Sequence, residues 1–481
     1  MRSVRFMTEK NLYHNTQRIG ISLVSIVFLY FFLPVFIAVY ALAGQKYRPV
    51  VFLAAGVLVA CWSSLWGLLP IAVSMMTGWV SALVSVKCSK KAAAAMLGIT
   101  VALNAASVVV FSYSRFYGAD LAGILTGHSF PFAGIVSAGS GLCALHSISY
   151  SADVFFGKYE RERSFIKTAC YIAFFPSFIC GPVIRYDRIR EELSHPVISY
   201  DKLAEGIRTL VYGFAEKLVV AAPLLDLWNR ISGEKTENLS FASCWIAAAA
   251  FSGSLYFDLK AYCDIAKGLG LMAGFSMPDN FNAPFACGGF NELIRRYCIT
   301  LFEWFRHYVY RPLCPKRKSD SICLPAMLAA ISASLLWLGL GGRYFIWGFF
   351  FLLIITLEYI TRKLLAKINH VVRAIFMNMI FLGSMPLLIF PSPKDALSFI
   401  GRMFSFSGLP GDVYIVYVVK NYFIMFIIFV ILAFGLARFV KTALNQLNPN
   451  IVRIVQPICQ TVLLLVATAF LAVSPTQGFM F

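Results

Sequence analysis

The chain has 481 residues, of which 59% are hydrophobic and 14% charged, and its mean hydropathy is +0.73. A soluble domain is normally about half apolar and a quarter charged, so this composition excludes an ordinary soluble fold. The net charge of +19 would suit a nucleic-acid-binding protein. No RNA- or DNA-binding motif accompanies that charge, and we therefore expect no nucleic-acid partner.

Apolar runs of about 20 residues, the length that spans the hydrocarbon core of a bilayer, recur along the chain. We count roughly eleven runs, some of them short or interrupted. The clearest are Gly20–Gly44, Ala92–Tyr113, Tyr344–Leu365, Tyr414–Leu436 and Ile454–Val473. The first is too long for a cleaved signal peptide. The pattern predicts an all-α, polytopic integral membrane protein, because helices satisfy their own backbone polar groups in lipid.

Basic residues gather in short loops between the runs, as the positive-inside bias produces in a protein with many spans. The groups are Lys87, Lys90 and Lys91; Arg185, Arg188 and Arg190; Lys316, Arg317 and Lys318; and Arg362, Lys363 and Lys367. We expect these loops to contact anionic membrane lipids. The twelve cysteines show neither a CxxC pair nor a zinc spacing, so we expect no metal site and no disulfide framework.

The polar gaps are short enough to be loops, so we expect one domain over residues 1–481, with its motif-bearing core at residues 174–348. Proline, glycine and charged residues interrupt the apolar runs in that core. Ionisable residues at membrane depth cost about 2.5 kcal/mol or more each and usually face a cavity or a partner. We therefore predict short re-entrant or horizontal helices around a central cavity, with the flanking helices as its wall.

The first core segment, FFPSFICGPVIRYDRI (174–189), contains Pro176, Gly181 and Pro182, which predict a re-entrant turn. In the second segment, Asp258 and Asp264 are six residues apart and do not share a helical face. Their pattern favours structural ion pairs with nearby lysines, Lys260 and Lys267, over a metal site. The loop PDNFNAPF follows, and its asparagines, Asn280 and Asn282, either orient a substrate or cap helices.

The last core segment is NELIRRYCITLFEWFRHYVYRPL (291–313). If it is helical, its polar residues form one stripe: Glu292, Arg296, Glu303, Arg306 and Tyr310. Two interpretations stay open. The segment is either an amphipathic helix whose arginines meet lipid headgroups or a helix that lines a reaction cavity. We expect helix from Glu292 to Arg311, with Arg296 and Glu303 not both exposed if the cavity interpretation holds.

Five ordered motifs resemble the membrane-bound O-acyltransferase family over nearly the whole chain. They are FFPSFICGPVIRY, FDLKAYCDIAKG, MPDNFNAPF, ITLFEWFRHYVYRPL and LLWLGLGGRYFIWG. The resemblance is to the bacterial branch that includes the alginate O-acetyltransferase membrane subunit and the D-alanyl-lipoteichoic acid transfer protein. It implies a multi-pass protein of the bacterial inner, or cytoplasmic, membrane.

The resemblance further implies that an acyl group, most simply acetyl, crosses a tunnel in the membrane core. Its donor is a co-substrate, either acyl-CoA or an acyl-carrier thioester, and no bound cofactor is implied. The acceptor is an extracytoplasmic glycan or cell-envelope polymer, reached with or without an extracytoplasmic partner protein. Substrate-binding positions are implied for the following residues: Asn280, Asn282, Arg296, Trp304, Arg306 and Trp337.

The family's catalytic histidine stands in the pattern L-W-H-G, where this sequence has Leu338. A second functional histidine is replaced by Cys298, and His307 occupies the place of an aspartate. The family brings both histidine positions together around the tunnel, so we expect Leu338 to be buried near Trp337 and within about 20 Å of Cys298, the length of a dozen helical residues. Leucine cannot transfer a proton, whereas histidine can near neutral pH.

Three functional hypotheses follow. In the first, the chain is an O-acyltransferase with altered chemistry, in which Cys298 carries the acyl group as a thioester and Arg295 and Arg296 lower the pKa of its thiol. In the second, it is a pseudoenzyme that keeps the fold as a membrane binding or scaffold protein, and Cys298 is an inert buried thiol. In the third, it is a transporter of unrelated mechanism, which the five ordered motifs disfavour.

Overall fold

A computed structural model describes residues 23–63, 65–117, 139–314, 327, 342–390, 392–405, 413–436 and 449–473. Within these ranges the regular structure is helical and contains no strand. The predicted all-α class is therefore confirmed.

The described residues up to Ala215 form eight α-helices. They are α1 (Leu33–Leu42), α2 (Arg48–Ser63), α3 (Leu68–Lys87), α4 (Lys90–Tyr117), α5 (Ser140–Phe155), α6 (Phe165–Ile172), α7 (Tyr186–Ser194) and α8 (Tyr200–Ala215). A π-helical segment, Phe28–Phe32, precedes α1, and short 3-10 turns lie at Leu65–Gly67 and Phe175–Ser177.

A second π-helical segment, Glu216–Ala221, continues α8 into α9 (Ala222–Ser232). Where the structure describes the rest of the chain, the further α-helices are α10 (Phe241–Met272), α11 (Phe290–Arg296), α12 (Ile299–Phe305), α13 (Arg311–Leu313), α14 (Gly342–Leu365), α15 (His370–Ile389), α16 (Pro393–Met403), α17 (Val413–Ala433) and α18 (Pro449–Val473). A third π-helical segment, Arg306–Tyr310, joins α12 to α13, and 3-10 turns lie at Thr236–Asn238 and Pro284–Ala286.

Five helices in the described residues are long and apolar enough to cross a membrane. They are Leu65–Lys87, Lys90–Val110, Gly342–Leu365, His370–Ile389 and Val455–Val473. Three shorter apolar helices accompany them: Phe28–Leu42, Arg48–Trp62 and Lys420–Ala433. The polytopic character is thus confirmed, whereas the count of roughly eleven spans stays a prediction.

Residue contacts divide the chain into two compact units. The first comprises Met1–Ile207, Ala266–Met277 and Thr468–Phe479, and the second comprises Arg208–Ile265, Pro278–Ala467 and Met480–Phe481. Helices α8 and α10 therefore each contribute residues to both units. The single domain over residues 1–481 stays a prediction.

In the first unit, α3, α4 and α5 pack against one another. Their interface is partly polar: Ser74 Oγ donates to Asn104 Oδ1 at 2.7 Å, and Asn104 Nδ2 donates to Thr77 Oγ1 at 3.0 Å. Membrane helices often associate through such small polar side chains, because these allow close approach and cross-helix hydrogen bonds.

The predicted helix break between residues 174 and 189 is confirmed, and a buried histidine holds it. One 3-10 turn is followed by non-helical chain as far as α7. Ile184 N donates to His146 Nε2 at 3.2 Å, so His146 Nδ1 carries the hydrogen that it shares with Ile172 O at 3.3 Å. The His146 imidazole therefore satisfies backbone groups on both sides of the break, which a buried segment requires.

In the second unit, α8 and α10 approach closely at Gly213. A Cβ at this position would lie 2.8 Å from the Ala261 carbonyl oxygen and 2.9 Å from Ile265 N, so only glycine fits. Aromatic packing joins α9 to α10 and α16, since the Trp228 ring centroid lies 5.4 Å from that of Phe251 on α10 and 6.1 Å from that of Phe399 on α16. The contacts at Gly213 and Phe251 help to hold α10, which carries the buried charges described below.

Ten of the twelve cysteines are free thiols in the described residues, whereas Cys314, after α13, is disulfide-bonded. The sequence predicts that the chain has no disulfide framework, and one bonded cysteine is not such a framework, so that expectation stays a prediction. The cysteine spacing gave no signal for the bond, since no paired motif surrounds Cys314.

Candidate functional site

The loop between α10 and α11 is joined to the start of α12 by hydrogen bonds from Asn280. Thr300 N and Thr300 Oγ1 both lie 2.9 Å from Asn280 Oδ1, and Ile299 N donates to Asn280 O at 2.9 Å. Asn280 Nδ2 donates to Cys263 Sγ on α10 at 3.1 Å. Because Thr300 lies in the first turn of α12, Asn280 satisfies an end group of that helix from a distant loop. Of the two predicted roles, it performs the capping one.

The other loop asparagine, Asn282, is exposed, and its backbone N donates to Arg296 O at 3.0 Å. Its side chain is therefore accessible, unlike that of Asn280, which is buried. The two asparagines that the sequence treats alike thus occupy different environments. Substrate binding stays a prediction for both.

Cys298 interrupts the segment that the sequence predicts as one helix. Its backbone lies in the left-handed region, with φ 51° and ψ 53°, between the end of α11 and the start of α12. The expectation of continuous helix from Glu292 to Arg311 is therefore wrong at this residue. Left-handed backbone at a non-glycine residue costs about 1–3 kcal/mol and persists only where surrounding contacts impose it. The bonds from Asn280 to Ile299 and Thr300 supply those contacts.

The Cys298 thiol is not activated by its neighbours. Burial raises its pKa well above the usual range of a thiol, and Cys263 raises it further. The expectation that Arg295 and Arg296 lower this pKa is therefore not met. Arg296 pairs instead with Glu292, at 2.5 Å between Nη2 and Oε1, and Arg295 is exposed.

The aromatic and charged residues of α12 and of the π-helical segment that follows it differ in burial. Trp304 is buried and its ring lies 5.1 Å from that of Tyr308, whereas Arg306 and Glu303 are exposed. Arg296 is half-buried, so the condition that would defeat the cavity interpretation, exposure of both Arg296 and Glu303, is not met. Substrate binding by Trp304, Arg296 and Arg306 stays a prediction.

Two of the eight predicted site residues, Trp337 and Leu338, lie outside the described residues. The expected approach of Leu338 to Cys298 therefore stays a prediction. His307, at the position of a family aspartate, is half-buried, and its Nδ1 lies 3.2 Å from Arg311 Nη1.

Five ionisable side chains meet where α10 packs against the π-helical segment Glu216–Ala221. Lys217 forms an ion pair with Asp258, and both side chains are almost fully buried. Lys260 Nζ lies 2.6 Å from Glu216 Oε1 and 2.6 Å from Asp264 Oδ2. We call Glu216, Lys260 and Asp264 the carboxylate–lysine cluster. The predicted pairing of Asp264 with Lys260 is confirmed, whereas Asp258 pairs with Lys217.

Sequence reasoning missed Glu216 and Lys217. The available signal was their occurrence as adjacent charges in the otherwise apolar stretch GFAEKLVVAA, since charges at membrane depth require partners. The sequence could not say which partners they find. Among the described residues, no group of three His, Cys, Asp or Glu side chains is arranged to hold a metal ion.

A separate cleft of about 630 Å³ lies in the first unit, between the loop after α5 and helix α7. Its lining includes Glu162, Tyr186, Arg190 and His195, and none of the predicted site residues. Glu162 accepts from Ser164 N at 3.0 Å, so part of the lining is fixed by local hydrogen bonds.

Comparison with known proteins gives one family match. The family described as "MBOAT, membrane-bound O-acyltransferase family" matches residues 11–390. The chain is 32% identical to the probable alginate O-acetylase of Pseudomonas aeruginosa, over 67% of this chain and 63% of that protein. The chain thus spans less than two thirds of the length of this relative.

Two further relatives are more distant. The peptidoglycan O-acetyltransferase of Helicobacter pylori is 29% identical over 38% of this chain and 35% of its own length. The teichoic acid D-alanyltransferase of Bacillus subtilis is 28% identical over 39% of this chain and 49% of its own length. All three names describe the transfer of an acyl group, two of them an acetyl group, to a polymer.

Proposed function

Because the chain belongs to the membrane-bound O-acyltransferase family, we propose that it transfers an acyl group, most simply acetyl, to a cell-envelope polymer. The donor is a thioester on the cytoplasmic side, either acyl-CoA or an acyl-carrier thioester. The acceptor is an extracytoplasmic glycan, reached directly or through an extracytoplasmic partner protein. The match over residues 11–390 carries this proposal, since it includes the whole segment from α10 to α12.

The reaction that we propose is direct. The acceptor hydroxyl oxygen attacks the thioester carbonyl carbon, a C–O bond forms, the C–S bond breaks, and the hydroxyl proton ends on the leaving thiol. Direct attack agrees better with the chain than a thioester on Cys298, because burial raises the pKa of that thiol and thus disfavours the thiolate that would act as nucleophile.

A second candidate is a pseudoenzyme that keeps the fold as a binding or scaffold protein. Leu338 favours it, because leucine at the family's catalytic histidine position cannot transfer a proton. On this hypothesis the retained cavity residues hold a ligand or a partner without chemistry.

Three versions of the full-length chain in lipid nanodiscs separate these candidates: wild type, Cys298→Ser, and the double variant Cys298→His with Leu338→His. Labelled acetyl-CoA is the donor, and alginate, peptidoglycan and teichoic acid, the polymers named for the relatives, are the acceptors. Direct transfer predicts labelled polymer with the wild type and with Cys298→Ser.

Each other outcome identifies an alternative. Transfer that is lost in Cys298→Ser supports the thioester route, since a serine without an adjacent base is a poor nucleophile. Transfer only by the double variant supports the pseudoenzyme. General-base help is typically worth about a hundred- to ten-thousand-fold, so the restored rate is measurable. No transfer by any version contradicts the proposed function for these substrates.

A further inference from the structure

The cleft beside α7 has the size of a small-molecule site. Its volume of about 630 Å³ falls within the roughly 300–1,000 Å³ that ligand pockets usually occupy. The lining comes from the loop after α5, from α7 and from the residues that follow α7, all of which belong to the first unit. Four carboxylates, two guanidinium groups and one imidazole are among the lining side chains. A ligand that fits this cleft therefore carries charge.

Two of the four carboxylates already have partners. Glu192 forms an ion pair with Lys202, with 3.5 Å between Oε1 and Nζ. Glu162 accepts from Ser164 N at 3.0 Å and from the Tyr186 hydroxyl at 3.4 Å. These two groups hold the walls of the cleft in place, so the other two carboxylates are the ones that could face a ligand.

The other carboxylates and the two guanidinium groups balance each other in charge. They belong to Glu160 and Glu191, and to Arg161 and Arg190. In the part of the chain that the structure describes, none of the four side chains forms an ion pair or a hydrogen bond. Arg161 is half-buried, and a charge that leaves water is costly unless a counter-charge meets it. A ligand that satisfies all four groups needs a negative and a positive charge of its own.

Two further donors lie at the cleft. The His195 imidazole is part of the lining, and Lys167 Nζ donates to the lining hydroxyl of Ser194 at 3.0 Å. Phosphate oxygens accept several such bonds at once, which favours a phosphate as the negative group of the ligand. The other charged residues of the loop and of α7 with its N-cap do not line the cleft; they are Lys158, Arg163, Arg185, Asp187 and Arg188.

The packing of α6 against α3 brings the cleft to the level of lipid headgroups. Phe165, the first residue of α6, contacts Trp79 on α3 with ring centroids 5.6 Å apart. Trp79 lies eight residues before Lys87, the end of a helix that is long enough to cross a membrane, or about 12 Å along its axis. The chain thus passes from the cleft wall at Glu162 into hydrocarbon depth within three residues. That wall therefore lies close to the boundary between hydrocarbon and headgroups.

Apolar side chains are exposed at and near the same cleft. Val197 is part of its lining and is exposed, as are Phe156 in the loop after α5 and Tyr200 at the start of α8. Aromatic residues are enriched where a membrane meets water, because their rings contact acyl chains and headgroups together. A ligand with a charged head and apolar chains therefore fits the cleft and its surroundings.

We propose that the cleft beside α7 binds the headgroup of a phospholipid that joins a phosphodiester to a primary ammonium, as in phosphatidylethanolamine. Arg161 and Arg190 bind the phosphate, since guanidinium groups bind phosphate through paired hydrogen bonds. Glu160 and Glu191 accept hydrogen bonds from the ammonium, which has three N–H donors. The acyl chains lie along Val197. This site goes beyond acyl transfer and does not depend on it.

Native mass spectrometry of the full-length, delipidated chain in detergent micelles tests the site. The probes are three phospholipids with identical acyl chains, whose headgroups contain ethanolamine, choline or glycerol. A choline headgroup has no N–H donor for the carboxylates. We therefore expect the wild type to bind the ethanolamine lipid about tenfold more tightly than the choline lipid, the effect of one charge-assisted hydrogen bond.

The variants separate the two halves of the headgroup. Arg161→Gln should weaken the binding of the ethanolamine and choline lipids alike, by about tenfold, because both contain the phosphodiester. The double variant Glu160→Gln with Glu191→Gln should remove the preference for ethanolamine and leave the affinity for the choline lipid unchanged. The control, Arg188→Gln, removes the same charge from α7 outside the lining and should change each affinity by about twofold or less.

Three results would overturn the site. The first is equal binding of the ethanolamine and choline lipids by the wild type. The second is a loss in Arg188→Gln as large as that in Arg161→Gln, which would indicate diffuse attraction to lipid. The third is tightest binding of the glycerol lipid, unchanged in the double variant, which would indicate general contact with anionic lipid. If Arg161→Gln does not fold, Arg190→Gln at the exposed arginine replaces it with the same expected loss.

Discussion

Cys298 illustrates how one residue combines an unusual backbone with an unreactive side chain. Its left-handed backbone is held by the hydrogen bonds that Asn280 accepts from the start of α12, and burial raises the pKa of its thiol. A histidine fits the left-handed region comparatively well, since histidine is enriched there several-fold among non-glycine residues. The backbone conformation at position 298 therefore suits a histidine, which can transfer a proton, although this chain has a cysteine there.

We predict that Cys298 is alkylated more slowly than the exposed Cys88 at neutral pH, by about tenfold or more, because only the thiolate reacts. A raised pKa means that the thiolate forms at higher pH, so the rate at Cys298 should keep rising with pH beyond the range in which an ordinary thiol ionises. Iodoacetamide labelling of two single-cysteine variants, followed by mass spectrometry, measures both rates. Equal rates at neutral pH would restore Cys298 as a candidate nucleophile.

At the scale of the element, the junction between α11 and α12 depends on contacts that are distant in sequence. Helical periodicity predicts both helices correctly but joins them, because the break at Cys298 is held by Asn280, a residue of another loop that lies twenty positions before its hydrogen-bond donor Thr300. Periodicity carries information about neighbours at three and four residues, and not about a capping group from another segment. The residues of the predicted polar stripe therefore lie in helical segments. They do not form one continuous stripe, because the break at Cys298 separates those on α11 from those on α12 and beyond.

We predict that Asn280→Ala lowers the free energy of unfolding by about 2–3 kcal/mol, because it removes the buried acceptor that Thr300 N and the Thr300 hydroxyl share. The matched control is Asn282→Ala, which removes an exposed side chain in the same loop and should change stability by about 0.5 kcal/mol or less. Denaturant unfolding of both variants in detergent micelles provides the comparison. Equal effects would mean that the Asn280 side chain does not hold the junction.

At the scale of the whole molecule, hydropathy predicted most of what the described residues contain. The all-α class, the apolar spans and the helix break near Pro176 all follow from composition and from proline and glycine positions. The pairing of charges did not follow, because Lys217 and Asp258 are 41 residues apart and meet only when α8 and α10 pack at Gly213. The functional positions came from the resemblance, and two of the eight, Trp337 and Leu338, lie outside the described residues.

We predict that a membrane-impermeant maleimide applied to intact cells labels a Leu397→Cys variant but not Cys88. Lysines flank Cys88 at the end of α3, which places it on the cytoplasmic side. Basic residues end α14, which places the start of α15 on the cytoplasmic side as well. Helix α16 follows the other end of α15, so the exposed Leu397 on α16 should lie on the opposite side of the membrane. Both cysteines should react once the cells are permeabilised. Labelling of Cys88 in intact cells would contradict the assignment.

The π-helical segment Glu216–Ala221 makes the long helix from α8 to α9 sensitive to its length. Such a segment holds one residue more than the α-helix that it interrupts. Deleting one residue would restore regular α-helix but turn the two halves by about 100° relative to each other. Lys217 lies before the deletion and pairs with Asp258, whereas Asp226 lies after it and accepts a hydrogen bond from the Tyr422 hydroxyl at 2.9 Å. After the rotation, only one of these two contacts could form. In evolutionary terms, this helix should accept substitutions far more readily than insertions or deletions.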